Sequence, residues 1–271
     1  AGLPAPNGAG KSTVVRMPLG LARPTAGTVR MFGHRIRPGA PVLSRVGALV
    51  ETPGFLPHLT AADNLQSYWE GTGRPADQAH LDAVLEITGL TQEAHRKVRS
   101  FSQGMCQRLA ISQAMLDMPD LLILDEPANG LDPAQIRQLR EILLRYAATG
   151  RSILLSSHLL SEIEQICTHV VVMHRGKLVT CGPVEELTAH HGATTFEVDD
   201  AQTAVETLRS LEGVREVVAD GELVHAALGP HTPAVAINAL VGTEVAVYRV
   251  APRRQLEDTC LNLIAGNRTD D

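Results

Sequence analysis

Long apolar runs are missing from this sequence. No stretch of its 271 residues reaches about 18 consecutive apolar positions, so no segment is expected to cross a membrane by itself. No signal peptide is read at the start, since Lys11 and Arg16 already stand in a helix-forming stretch. Any membrane role is therefore expected to come through a partner. Cysteine is scarce and scattered. Cys106, Cys167, Cys181 and Cys260 form no C-x-x-C pair, which excludes the familiar zinc spacings and a disulfide framework and points to a reducing cytoplasm. An excess of positive charge is lacking too, and a formal net charge of −6 argues against a general nucleic-acid binder. Internal repeats and low-complexity tracts are absent. The remaining composition, 44% hydrophobic and 20% charged, suits a globule with a sizeable core, as one large domain or two modest ones.

Where apolar residues cluster, they do so in short bursts. "GTVRMFG" and "RVGALV" predict short strands, and the stretch from about Leu59 to Met118 predicts helices broken at "EGTGRP" and "TGLTQ". "PDLLILDEP" is a wholly apolar run bounded by proline and charge, as expected of a buried parallel strand. Asp132-Pro133 predicts an N-cap followed by proline at the first helical position. Ile136, Leu139, Leu143 and Tyr146 form the apolar stripe of that helix, and Gly150 closes it. "SILLSS" and "HVVVMH" predict two more buried strands around the helix "LLSEIEQIC". Strand and helix in alternation predict a doubly wound α/β core. After "CGPVEELTAHHGA" the pattern becomes strand-helix-strand-strand-helix-strand, a ferredoxin-like order, followed by a helix "RQLEDTCLNLI". The expected domains are residues 1–191, α/β, and residues 192–271, a small α+β extension.

One loop carries chemistry. Gly8-Ala9-Gly10-Lys11-Ser12 is most of a G-x-x-x-x-G-K-[ST] phosphate loop, with Ala5 at its first glycine position. Backbone N–H groups of Asn7 to Gly10, at the start of the helix "KSTVVRMPLGL", would face phosphate oxygens. Lys11 would reach the outer phosphates and the Ser12 hydroxyl would take one Mg²⁺ position. Farther along, Asp125 ends a buried strand, where its carboxylate would hold Mg²⁺, and Glu126 follows, placed to polarise an attacking water. Two features count against this loop. Ala5 costs about 1 kcal/mol or more if its position needs positive φ. Pro18, two turns into the expected helix, costs roughly 3 kcal/mol unless the helix kinks there. The histidines at 169, 174, 190 and 191 lack further ligands at metal spacing and read as solvated positions.

The ordered set "SFSQGMCQRLA", "LLILDEPANGLDP" and "SSH" closely resembles the nucleotide-binding subunit of ABC transporters, over residues 2 to about 190. The resemblance is to the bacitracin/daunorubicin-type exporters, and it implies a P-loop NTPase core with an inserted helical subdomain at about 59–118. It also implies a preceding segment with an adenine-stacking aromatic, so the sequence reads as truncated at its N-terminus. "FSQGM" stands at the family's signature, with Ser102 and Gly104 matching and Gln103 and Met105 departing. Ser102 is also a plausible N-cap that aims a helix N-terminus at an anion. The resemblance implies that Ser102, Gln103 and Gly104 complete the ATP site of an opposite subunit in a homodimer or pseudo-dimer. Asn129-Gly130-Leu131-Asp132 stands at the D-loop, Glu51 occupies the family's magnesium-contacting glutamine position, His158 would contact the γ-phosphate, and Thr13 is counted with Lys11 and Ser12 among the nucleotide-binding residues.

The implied activity is ATP hydrolysis with ATP and Mg²⁺, coupled to a separate transmembrane permease that exports an antibiotic, peptide or lipid-like substrate. The implied location is cytoplasmic, peripheral on the inner face of the cell membrane, with no nucleic-acid partner. Two alternatives stay open at this point: a subunit that binds nucleotide with impaired or no hydrolysis, and a non-transport ABC ATPase.

Overall fold

Short apolar runs separated by helices can bury both faces only as inner strands of a covered sheet, and here they do. The computed structural model describes residues 1–4, 10–50, 54–189 and 193–252. The chain divides into two compact units, Ala1–Cys181 and Gly182–Asp271. Along the first unit the elements are β1 (Gly2–Pro4), α1 (Lys11–Arg16), β2 (Arg30–Met31), β3 (His34–Arg35) and β4 (Val46–Leu49). Then follow α2 (Ala61–Glu70), α3 (Leu81–Thr88), α4 (Gln103–Met115), β5 (Leu121–Asp125) and α5 (Pro133–Ala148). The series ends with β6 (Ser152–Ser157), α6 (Leu160–Ile166), β7 (His169–His174) and β8 (Lys177–Pro183), the last running across the division.

One six-stranded sheet takes the order β4-β5-β6-β1-β7-β8. From β4 through β7 each pairing is parallel. Residues Leu3, Val15, Ile123 and Met173 pack its core. The helical insertion has a core of its own, built on Leu65, Trp69, Leu85 and Leu109. Its first helix starts at Thr60, which forms a reciprocal capping box with Asp63.

Four local expectations change. The helix after the phosphate loop ends at Arg16 instead of running through Pro18. The chain turns there, with Leu21 N–H donating to Arg16 O at 3.0 Å, Gly20 N–H to Met17 O at 3.0 Å, and Gly20 at φ 72°. That is a Schellman-type closure, and it takes Pro18 into the terminal turn, outside the helix interior where the proline cost was reckoned. "GTVRMFG" supplies only the two-residue strand β2, paired antiparallel to β3. The α5 stripe also includes Ile142, 1% exposed. β8 is a strand that periodicity did not single out, because its burial alternates weakly.

The second unit begins with α7 (Val184–Ala189) and continues β9 (Ala193–Val198), α8 (Ala201–Ser210), β10 (Arg215–Asp220), β11 (Leu223–Ala227), α9 (Pro233–Gly242) and β12 (Val247–Pro252). Its sheet order, β10-β11-β9-β12, is antiparallel at every pairing. This is the ferredoxin-like arrangement expected from the element order. Phe196, Val198, Leu208, Val224 and Leu240 form its core, each fully buried. The expected helix "RQLEDTCLNLI" lies outside the described residues.

Candidate active site

Parallel strands bring their carboxyl ends to one edge of a sheet, and chemistry at such an edge comes from residues at or just after those ends. β5, β6 and β1 are adjacent, and their register aligns Asp125 with Ser156 and Ser156 with Leu3. Pro4, the last residue of β1, therefore ends beside Ser157, next to the carboxylates at the end of β5 and the histidine that follows β6. Gly10, at φ 96°, caps α1, and Lys11 opens the helix with its side chain buried. Ser12 and Thr13 follow, exposed on the first turn.

Three predicted residues meet. Lys11 Nζ lies 3.1 Å from the buried Glu126 Oε1, an ion pair within hydrogen-bonding reach. The other oxygen, Oε2, is 2.7 Å from His158 Nδ1 and accepts the His158 backbone N–H at 3.3 Å. Burial pushes the Glu126 carboxyl up, but hydrogen bonding and charge from His158 and Lys11 outweigh it and hold the group below the ordinary carboxylate value.

Backbone geometry fixes Glu126 as well. Its φ is 50°, the left-handed region, which costs a residue with a Cβ about 1–2 kcal/mol. Ser156 holds it there: the Glu126 N–H donates to Ser156 O at 3.1 Å and to Ser156 Oγ at 3.0 Å. The same hydroxyl donates to Asp125 Oδ1. Ser156, fully buried, thus fixes both carboxylate residues, and sequence reading missed it. The available signal was the polar pair that follows the apolar Ile153-Leu154-Leu155 in "SILLSS".

The signature and D-loop residues form a second cluster. Ser102 caps α4, its hydroxyl accepting the Met105 N–H at 3.3 Å. Asp132 caps α5 by accepting the Ala134 and Gln135 N–H groups, both at 2.9 Å, while Gln135 Oε1 accepts the Asp132 N–H at 3.2 Å. A Cβ on Gly104 would come within 2.8 Å of the Gln135 side chain, and one on Gly130 within 2.5 Å of Gln103 Nε2. Gln107 Nε2 donates to Pro127 O at 2.8 Å. Gln103 and Gln107 share a cleft with Asp125, Glu126, Asn129 and Gly130. Ser102, Gly104 and Asp132 are not among the residues lining it. Asn7, Gly8, Ala9 and Glu51 lie outside the described residues.

The donor set suits a magnesium-bound triphosphate. It offers a buried ammonium, an exposed hydroxyl on the first turn of a helix, a carboxylate at the sheet edge, and a second carboxylate whose buried oxygen faces the ammonium.

The sequence profile of the ABC transporter family matches residues 2–129. The chain is 44% identical to the bacitracin transport ATP-binding protein BcrA of Bacillus licheniformis over 202 residues, 73% of this chain and 66% of that protein. It is 43% identical to the bacitracin transport ATP-binding protein BcrA of Enterococcus faecalis over 212 residues, 77% of this chain and 68% of that one. The match thus spans about two thirds of the length of each relative. A solved structure described as the ATP binding subunit of an ABC transporter superposes with a TM-score of 0.59 at 32% identity, covering 70% of this chain and 80% of that one. Together these likenesses show that the chain belongs to the ATP-binding subunits of ABC transporters, a family of ATPases.

Proposed function

We propose that this chain hydrolyses MgATP at the Lys11–Glu126–His158 cluster and so powers an exporter through a separate membrane permease, with an antibiotic, peptide or lipid-like cargo. The observation that carries the proposal is the convergence of these three side chains where β5, β6 and the loop after β1 end together. Asn7, Gly8, Ala9 and Gly10 supply backbone donors to the phosphates, and Lys11 binds the outer ones. Ser12, Asp125 and Glu51 are the residues that would hold Mg²⁺, with Thr13 beside Ser12. Bound there, Mg²⁺ would neutralise charge on the β- and γ-phosphate oxygens. Glu126, kept ionised by its neighbours, orients and deprotonates the attacking water. His158 Nδ1 is taken by Glu126, which leaves Nε2 for the γ-phosphate, and that atom donates only when the ring carries both protons. Catalysis is positioning and charge stabilisation.

Ser102, Gln103 and Gly104 act on the nucleotide of a second copy in a two-fold dimer, and Asp132 braces that interface through its cap. Among the described residues no helix is long and apolar enough to cross a membrane, which favours attachment through the permease. The test is Mg-dependent ATPase activity of the chain against Glu126→Gln. Turnover is expected to drop about 10²–10⁴-fold, the usual contribution of a general base. Equal rates for the two proteins would overturn the assignment of Glu126. No turnover by a folded wild-type chain that binds nucleotide would favour a subunit that binds without hydrolysing.

A further inference from the structure

The first fifty residues carry Lys11, Arg16, Arg23, Arg30, Arg35, Arg37 and Arg45 and not one aspartate or glutamate, in a chain whose net charge is −6. Most of these cations have partners. Lys11 pairs with Glu126, and Arg16 is engaged as well. Arg45 donates to Asp120 at 2.6 Å and stacks on Phe32 at 4.1 Å, and Arg30 donates to Gly33 O at 3.1 Å. The exposed side chains of Arg23, Arg35 and Arg37 have no ion pair, hydrogen bond or ring contact among the described residues. All three line one pocket of about 290 Å³ between the turn after α1 and the β2–β3 hairpin, together with Gly20, Gly27 and Thr28.

The hairpin register sharpens the point. Arg30 and Arg35 stand directly opposite each other across β2 and β3. Like charges in that arrangement destabilise a sheet, and no carboxylate comes between them in sequence or in the hairpin. Guanidinium groups present paired donors that match the oxygens of a phosphate, and glycine at the wall lets a ligand approach the backbone closely. The size of this open pocket suits a small head group, whereas the backbone of a long polyanion would call for an extended basic stripe.

We propose that this pocket is a second anion site, separate from the phosphate loop, that takes a phosphate monoester or diphosphate group through Arg23, Arg35 and Arg37. Free phosphorylated metabolites and the head group of an anionic phospholipid share that chemistry. The test uses the full chain saturated with MgADP, so that the phosphate loop is filled, and titrates sodium diphosphate by calorimetry. One equivalent is expected to bind, with affinity reduced about tenfold or more in Arg35→Gln/Arg37→Gln, the scale of losing charge-assisted hydrogen bonds. Arg35→Lys/Arg37→Lys keeps the charge but not the fork and should fall between. Arg145→Gln/Arg215→Gln, an equal change of charge on exposed positions elsewhere, should match the wild type.

A second arm sediments the protein with phosphatidylcholine vesicles, plain or doped with phosphatidic acid. Sedimentation with the doped vesicles only, reversed by diphosphate, identifies a lipid head group as the source. Binding in the calorimeter without sedimentation identifies a free phosphate. Binding of neither probe, or equal losses in the pocket and control variants, overturns the proposal. The same isotherm in Lys11→Ala would show that the phosphate loop takes no part, so this result stands apart from the ATPase assay.

Discussion

Ser156 sits between two carboxylate residues for which different tasks are proposed, and its one hydroxyl serves both, accepting from the Glu126 N–H and donating to Asp125. Ser156→Ala removes the donor from Asp125 and one of two acceptors from a backbone already held at positive φ. It should slow ATP turnover by about tenfold, near 1.4 kcal/mol in barrier, and lower stability by about 1 kcal/mol. Steady-state ATPase and urea unfolding check this, and unchanged turnover would return Ser156 to a structural role. Glu126 gives a pH prediction of definite sign. Its carboxyl titrates below the ordinary value in the folded chain. Its ionised form therefore adds stability that is complete above the unfolded carboxylate value and fades as pH falls through the lower folded one. The stability difference between wild type and Glu126→Gln should stay constant around neutrality and change only below the ordinary carboxylate range. A difference that does not vary with acid would show that the pairing with Lys11 and His158 is not felt by Glu126.

At the level of elements, α5 depends on its first turn. Asp132 accepts two backbone N–H groups and Gln135 returns a bond to the cap. Asp132→Ala should cost about 1 kcal/mol in thermal or urea unfolding, and Asp132→Asn, which keeps the acceptor, should recover most of it. If both variants lose ATPase activity while only the alanine loses stability, that would support the proposed role of Asp132 at an interface between two copies. The N-cap, the proline after it and the apolar stripe of α5 were legible in the sequence because each is a local signal. So were β5, β6 and β7, whose unbroken apolar runs admit few other readings. The ferredoxin-like order of the second unit was legible from the sequence of element types alone. Less accessible were features that depend on partners distant in the chain. The pairing of β1 between β6 and β7 cannot be read from three residues. Neither the left-handed backbone of Glu126 nor its grip by Ser156, thirty positions later, leaves a periodic trace. Pro18 was misjudged because the penalty was reckoned for a helix that the chain instead ends at Arg16.

For the whole molecule, the second compact unit carries a core of its own, which implies that it can fold separately. Phe196, Leu208, Val224 and Leu240 are fully buried within the second unit. The segment from Gly182 onward, expressed alone, should therefore unfold cooperatively in urea with coincident fluorescence and circular dichroism transitions. A broad, probe-dependent transition would mean that this core needs the first unit. The contact between Lys11 and Glu126 has a further consequence for how the protein meets its nucleotide. The ammonium already has a carboxylate for company, so a phosphate arriving at Lys11 takes part in an exchange of one anion for another. Only the difference between the two partnerships favours capture. If Glu126 is the base as proposed, the same event would hand it back to His158 and to water, so that arrival of the substrate and arming of the base would become a single step.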